Sequence, residues 1–94
     1  MPPFKTSYTK APVIWLTGNT GAGKSTVAFG TRDKLIAEGH NVVVLDGDEL
    51  RASISTDEDL SPEGRRRHNL RVARLATLLS NQSIITIVSV IAPF

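Results

Sequence analysis

The sequence predicts an α/β fold in which three parallel β-strands are combined with helices. Apolar runs typical of buried strands occur at residues 13–17, 41–46 and 84–91. Helical patterns separate the first run from the second and the second from the third. An alternation of this kind implies a parallel sheet whose crossovers are right-handed.

Composition limits the chain to one ordinary globular domain. Of its 94 residues, 40% are hydrophobic and 21% are charged. The formal net charge of +2 is too small to indicate a nucleic-acid or membrane partner, and neither is expected. The absence of cysteine excludes disulfides and thiolate metal sites. Because the first ten residues lack the apolar core of a signal peptide, we predict a cytoplasmic protein.

The first half of the domain is predicted to begin after a flexible, proline-containing lead-in at residues 1–12. The strand at 13–17 leads into a glycine-rich turn at 18–23. A helix is then expected from Lys24 to about Glu38, and Gly39 is the expected stop signal. The apolar side of this helix is predicted to contain Val27, Ala28, Leu35 and Ile36.

The second half contains a polar segment, a long helix and the last strand. Residues 47–60 are polar, with one helical turn predicted near 49–53. Ser61 is a suitable N-cap for the long helix, and Pro62 suits its first position. The helix shows an apolar stripe of Val72, Leu75, Ala76 and Leu79.

The last strand, residues 84–91, is apolar enough to be buried on both faces. Since only three residues follow it, we expect residues 13–94 to be the N-terminal part of a larger domain. The alternative is a complete chain in which this strand is central in a three-stranded sheet.

The glycine-rich turn matches the phosphate-binding pattern G-x-x-x-x-G-K-[ST] at every fixed position. Glycines let the backbone approach a phosphate, and loop N–H groups in front of a helix N-terminus favour its negative charge. Lys24 is predicted to neutralise the β- and γ-phosphates of ATP, and the Ser25 hydroxyl to bind Mg²⁺. The alternative is a glycine turn with an incidental Lys-Ser. The motif predicts a P-loop NTPase-like three-layer sandwich whose nucleotide-binding residues are Gly18, Asn19, Thr20, Gly21, Ala22, Gly23, Lys24, Ser25 and Thr26.

Two carboxylates, Asp46 and Asp48, stand where the second strand is predicted to end. Ligands of open parallel sheets bind outside the carboxyl ends of the strands, and the phosphate loop is at the same edge. Carboxylates in this position can ligate a metal or act as a base for an attacking hydroxyl. Arg51 is placed to clamp an anionic acceptor. The alternative for Asp46-Gly47-Asp48 is a polar turn.

The long helix begins with a basic cluster that is unfavourable at a helix N-terminus unless an anion offsets it. By three- and four-residue steps, Arg65 and His68 continue the face of Val72, so both are predicted to point inward and bind substrate. For His68, a satisfied polar group is an equal alternative. Arg67, Arg71 and Arg74 share another face, for which a solvated surface is predicted.

From residue 13 to the end, the chain resembles the adenylylsulfate kinase family, which phosphorylates the 3′-hydroxyl of adenosine 5′-phosphosulfate (adenylylsulfate). The resemblance rests on the phosphate loop and on three further segments: Asp46-Gly47-Asp48 with Arg51, Ser61-Pro62-Glu63 with Arg65, and Ile91-Ala92-Pro93-Phe94.

The resemblance implies roles for the matching residues. Lys24 and Ser25 would hold the ATP phosphates and Mg²⁺, with Lys24 and Asp48 as the catalytic pair. Asp48 would lie near the acceptor hydroxyl, and Arg51 and Arg65 would grip the phosphosulfate nucleotide. The segment that includes Ile91 and Ala92 would line the acceptor site.

The chain departs from the family pattern only on the acceptor side. Leu60 occupies the position of a phenylalanine that stacks on the acceptor adenine, and His68 that of an asparagine. Ala92 replaces a serine, and residues 53–55 replace Gly-Leu-Asn. Three hypotheses therefore stay open: an adenylylsulfate kinase, a related kinase for another small anionic hydroxyl acceptor, and a non-catalytic nucleotide-binding module. The oligomeric state is also open, with a homodimer as one expectation.

Overall fold

The computed structural model describes residues 10–18 and 24–91. The predicted lead-in at residues 1–9, the interior of the phosphate loop at 19–23, and residues 92–94 lie outside the described residues. The elements in chain order are β1 (Val13–Gly18), α1 (Lys24–Ala37), β2 (Val42–Asp46), α2 (Gly47–Ile54), α3 (Pro62–Ser80) and β3 (Ile85–Ile91).

The three described strands form a parallel sheet in the order β1-β3-β2, so the predicted α/β class is confirmed. Residues 85–90 of the central strand are all buried, as its apolar sequence predicts. Gly18 pairs with Ile91, and Asp46 pairs with Ser89. The loops after β1 and β2 therefore leave the sheet at the same edge, which we call the carboxyl edge.

Helix α3 packs on one face of this sheet through its predicted apolar stripe. Val72 and Ala76 are buried in one core cluster with Leu45 of β2 and with Val88 and Val90 of β3. Leu75 and Leu79 are partly buried against the same cluster. The three- and four-residue spacing of these side chains is thus a correct indicator of the buried face.

The predicted apolar side of α1 is only half right. Ala28 is fully buried and Leu35 is half-buried, but Val27 is 55% exposed and Ile36 is 50% exposed. Each of the exposed residues lies roughly a quarter turn around the helix from the line of Ala28 and Leu35. The apolar residues of α1 therefore extend around the helix beyond the face that the sheet covers.

Local capping explains where the helices begin and end. Gly39 follows α1 with φ of +92°, which confirms it as the stop signal. Ser61 accepts a hydrogen bond from Gly64 N at 3.1 Å and caps α3, as predicted. Helix α2 is longer than the predicted single turn because the Asp46 carboxylate accepts from Asp48 N at 2.9 Å and Glu49 N at 3.1 Å.

Gly64→Ala is expected to destabilise the fold by about 1–2 kcal/mol. A Cβ at residue 64 would lie 2.5 Å from the carbonyl oxygen of Asp59, so the loop in front of α3 must shift. Gly30→Ala is the matched control, because a Cβ there meets nothing within 4 Å inside α1. The control should stabilise by about 0.5–1 kcal/mol. Urea unfolding measures both, and equal shifts of the two variants would contradict the predicted clash.

Candidate functional site

The carboxyl edge brings the predicted donor and acceptor segments together. Gly18 ends β1, and α1 begins at Lys24, so the phosphate loop lies between a strand and a helix as predicted. The side chains of Lys24, Ser25 and Ile91 and the whole of Ala92 lie outside the described part of the chain, as do Asn19, Thr20, Gly21, Ala22 and Gly23.

The two carboxylates at the end of β2 have different surroundings. Asp46 Oδ1 is engaged as the N-cap of α2, where it accepts from two backbone amides. Asp48, in the first turn of α2, is exposed. Asp48 is thus the more accessible of the two carboxylates, and the capping role explains why an acidic residue ends this strand.

The two arginines predicted on the acceptor side lie on different helices. Arg51 of α2 is half-buried and donates to the carbonyl oxygen of Asp59 at 3.4 Å, so it leans toward the loop in front of α3. Arg65, in the first turn of α3, is exposed, which differs from its predicted inward position and leaves it accessible to a diffusible anion. Neither arginine is among the residues that hold Asp57 or Glu58.

His68 points inward, as predicted, but it is buried between protein groups and does not line an open crevice. It is 2% exposed, with Nδ1 2.6 Å from Ser55 Oγ and Nε2 3.0 Å from the carbonyl oxygen of Gly47. A carbonyl oxygen only accepts, so Nε2 carries the proton and Nδ1 accepts from the Ser55 hydroxyl. Burial lowers the pKa of His68, which keeps the ring neutral. Because protein groups take both ring nitrogens, the packing favours the alternative of a satisfied polar group over direct contact with a ligand.

Arg67 is exposed, as predicted for a solvated face, whereas Arg71 is half-buried, which corrects the prediction for that residue alone. Arg71 forms a bidentate pair with Asp57 at 2.7 and 3.0 Å and also donates to Glu58 at 3.0 Å. Arg67 Nε donates to the same Glu58 carboxylate, which is almost fully buried. Arg74 is exposed, as predicted. One sequence signal could have indicated these ion pairs. Arg67 and Arg71 are four residues apart on one face of α3, and two adjacent acidic residues stand in the preceding loop.

Asp57 is expected to titrate far below the ordinary range of an aspartate. Hydrogen bonds from Arg71 lower the pKa of Asp57 from 3.8 to about 2. Because the folded-state pKa is depressed, its contribution to stability is complete above pH 3.8 and is lost as the pH falls toward 2. Carboxyl ¹³C NMR measures the titration, and Asp57→Asn should remove this part of the pH dependence. A midpoint near 3.8 with Arg71 intact would contradict the prediction.

Ser89→Ala is expected to be neutral or to stabilise by up to about 1 kcal/mol. Among the described residues, Ser89 Oγ is a buried side-chain atom without a hydrogen-bond partner. Val88 and Val90 face α3, so the alternation of a strand places Ser89 on the other side of the sheet. Ser80→Ala is the control, since Ser80 Oγ donates to Ala11 O at 2.5 Å and its loss should destabilise. Equal destabilisation by both changes would show that Ser89 has a partner.

Comparison with known proteins decides the family. A sequence model of adenylylsulphate kinase matches residues 10–94, which is most of the chain. The chain belongs to the adenylylsulfate kinase family. Fold and motif agree with this membership, because the family's phosphate loop lies between β1 and α1 and its Asp-Gly-Asp segment joins β2 to α2.

Several relatives show how much of the family's length this chain represents. It is 41% identical over 85 residues to the adenylyl-sulfate kinase of Bacillus licheniformis, covering 90% of this chain and 43% of that protein. It is 45% identical over 82 residues to a probable adenylyl-sulfate kinase of Archaeoglobus fulgidus, covering 87% of this chain and 53% of that protein. The chain therefore spans about half the length of these adenylylsulfate kinases.

A solved family structure supports the fold. The APS kinase of Mycobacterium tuberculosis in complex with AMPPNP and APS aligns with a TM-score of 0.82 and 34% identity. The alignment covers 86% of this chain and 47% of that one. The predicted P-loop fold is thus confirmed for this member of the family.

At the family's stacking position, Leu60 is 64% exposed in the loop in front of α3. The loop that carries it is held by the ion pairs of Arg67 and Arg71. An aliphatic side chain supplies apolar area but no aromatic face to an adenine ring. At this position the chain therefore presents an exposed aliphatic side chain and no aromatic ring.

Proposed function

We propose that the protein is an ATP-dependent kinase that transfers the γ-phosphoryl group to the 3′-hydroxyl of adenosine 5′-phosphosulfate. The product is 3′-phosphoadenosine 5′-phosphosulfate, an intermediate of sulfate assimilation. The observation that carries the proposal is the meeting of two family motifs at one carboxyl edge: β1 leads into the phosphate loop, and Asp48 and Arg51 follow β2. Because the chain spans about half of its relatives' length, the activity itself is part of the proposal.

On the donor side, the proposal assigns the phosphates of ATP to residues 18–26. Lys24 would place its charge on the β- and γ-phosphates, and the α1 N-terminus would add its partial positive charge. Among the described residues, no group of three or more His, Asp or Glu side chains could hold a metal ion alone. We expect the ion to arrive on the nucleotide phosphates, with Ser25 as its protein ligand. Bound Mg²⁺ would neutralise charge that develops on the phosphoryl oxygens.

On the acceptor side, Asp48 would orient the attacking hydroxyl and accept its proton. The acceptor oxygen bonds to the γ-phosphorus while the bond from that phosphorus to the β–γ bridging oxygen breaks, and ADP leaves. Arg51 and Arg65 would grip the anionic part of the acceptor from the two helices that flank the edge. The assignments of Asp46, His68, Ile91 and Ala92 to substrate binding remain predictions, and capping and burial argue against direct contact by Asp46 and His68.

A different anionic acceptor is the second candidate, and one observation favours it. The exposed Leu60 offers no ring to stack on adenine, so the energetic advantage of a nucleoside acceptor is reduced. Arg51, Arg65 and Asp48 would recognise an anion and a hydroxyl, so their contacts do not require the acceptor to carry a nucleobase. A non-catalytic nucleotide-binding module is the third candidate.

Product formation with a panel of acceptors separates the three candidates. The chain is incubated with ATP and Mg²⁺ and with adenylylsulfate, other nucleotides or sugar phosphates, and products are identified by mass spectrometry. Asp48→Asn should abolish turnover of the true acceptor, whereas Asp33→Asn, an exposed change on α1, should not. Turnover of another acceptor but not adenylylsulfate would favour the second candidate, and ATP binding without any turnover would favour the third.

The proposal also covers assembly and location. One structural relative is a hexameric APS kinase from Thiobacillus denitrificans, with a TM-score of 0.73 and 28% identity. The homodimer predicted for this chain is one arrangement to test, by light scattering. Within the described ranges, no helix is long and apolar enough to cross a membrane. The cytoplasmic location remains a prediction from the sequence.

A further inference from the structure

The imidazole of His68 contacts both ends of α2. Its Nε2 donates to the carbonyl oxygen of Gly47, the first residue of that helix. Its Nδ1 accepts from Ser55, the C-cap residue of the same helix. Since His68 belongs to α3, one buried side chain ties the start and the end of α2 to its neighbour.

The Gly47 end of α2 is held tightly from a second side. A Cβ on Gly47 would lie 3.0 Å from Val90 Cγ1 and 3.2 Å from the carbonyl oxygen of Ser89, so the backbone of residue 47 packs directly on β3. The next residue is Asp48, whose amide is fixed by the N-cap bond to Asp46. The orientation of Asp48 therefore depends on contacts that His68, β3 and Asp46 make together.

We propose that His68 is a positioning residue, which holds α2 against α3 so that Asp48 and Arg51 face the acceptor together with Arg65. The catalytic consequence rests on the proposed function, whereas the contacts themselves do not. The acceptor then touches Asp48, Arg51 and Arg65, and His68 acts only through the placement of α2. This separates His68 from the ligand contact that its inward position in the sequence suggests.

The charges around His68 favour a neutral imidazole ring, which bridges Gly47 and Ser55. Arg51 of α2 and Arg71 of α3 both disfavour a second proton on the ring, and Asp48 favours it. Arg71 Nη1 also lies 3.4 Å from Ser55 Oγ. A protonated Nδ1 would add a second donor to that hydroxyl, whose own hydrogen would then lose its acceptor inside the protein. The neutral Nε2–H tautomer is the form in which the Gly47 carbonyl, the Ser55 hydroxyl and both ring nitrogens all have hydrogen-bond partners.

Ring-nitrogen NMR of the unmodified chain is the first test. A long-range ¹H–¹⁵N spectrum should show His68 as the Nε2–H tautomer, with Nδ1 as a hydrogen-bond acceptor. His40, the other histidine, is exposed in the turn after α1 and provides the reference signal. The opposite tautomer, or a His68 ring that carries protons on both nitrogens at neutral pH, would overturn the proposal even if no variant folds.

Two conservative variants separate the contacts. In His68→Gln, the side-chain amide nitrogen takes the place of Nε2 and keeps a donor for the Gly47 carbonyl oxygen. In His68→Asn, the side-chain amide takes the place of Nδ1 and keeps a hydrogen-bond partner for the Ser55 hydroxyl. His68→Ala should weaken adenylylsulfate binding roughly tenfold to a hundredfold and speed amide exchange in α2. We expect His68→Gln to recover most of both effects and His68→Asn less. His40→Gln should change neither, and AMPPNP affinity should stay within about twofold in all variants.

The outcomes distinguish this inference from the proposed function. If His68→Ala loses adenylylsulfate binding while amide exchange and shifts in α2 are unchanged, the ring contacts the acceptor directly and the positioning role is wrong. If the unmodified chain binds no adenylylsulfate but α2 loosens in His68→Ala and recovers in His68→Gln, the bridge stands and the proposed acceptor fails. Unchanged α2 exchange and unchanged binding in His68→Ala would overturn the inference.

Discussion

Lys24→Ala is expected to reduce ATP affinity by about a hundredfold or more, the largest expected effect of a single substitution on nucleotide binding. The ammonium group is predicted to make several charge-assisted contacts with the β- and γ-phosphates, each worth about 1.5–3 kcal/mol. The backbone amides of the loop and the α1 N-terminus remain in the variant, so residual binding should be weak and nearly independent of the γ-phosphate.

Trp15 offers a direct signal for this measurement. It is the only tryptophan of the chain, lies on β1 and is partly exposed, three residues before Gly18. Lys34→Ala is the matched control, because Lys34 is an exposed lysine in the last turn of the same helix. The control should bind ATP normally. An unchanged ATP affinity in Lys24→Ala, measured by fluorescence or calorimetry, would contradict the assignment of phosphate binding to this loop.

Ile87→Ala is expected to cause the largest loss of stability, about 3–4 kcal/mol. Ile87 is fully buried at the centre of β3, where it pairs with Ile14 on one side and Val44 on the other. Truncation removes apolar contacts on the one strand that is bonded to both neighbours and leaves a cavity. Because small domains are stable by only about 5–15 kcal/mol, this loss is a large fraction of the total.

Ile36→Ala provides the matched control for that loss. It removes the same atoms from a side chain that is half exposed on α1, and should change stability by less than about 1 kcal/mol. Chemical denaturation followed by circular dichroism compares the two variants. Equal destabilisation of both would contradict the assignment of β3 as the buried centre of the sheet.

The sequence makes a definite prediction for the donor half of the site because its signals are local, and the strand and helix on either side of the loop are confirmed. A motif of eight residues, from Gly18 to Ser25, defines both the chemistry and the strand–loop–helix context. The caps of α3 are equally local, since Ser61 and Pro62 act within one turn. Such features depend on neighbours in sequence and are independent of packing.

The acceptor half could be predicted only in part because it depends on contacts across the chain. His68 and Gly47 are 21 residues apart, and no periodicity in either segment indicates their hydrogen bond. Asp46 serves as a strand end and a helix cap at once, so the full length of α2 was missed. The exposure of Val27 on α1 likewise depends on how much of the helix the sheet covers.

Amide-shift mapping on the ¹⁵N-labelled chain tests the central claim, that the carboxyl edge binds a nucleotide donor and an anionic acceptor side by side. Mg²⁺-AMPPNP is predicted to shift residues 18–26, and adenylylsulfate added next is predicted to shift Asp48, Arg51 and Arg65. Residues 40–42 at the opposite edge should stay unchanged in both steps. Shifts confined to that opposite edge, or adenylylsulfate shifts that avoid α2 and the start of α3, would contradict the account.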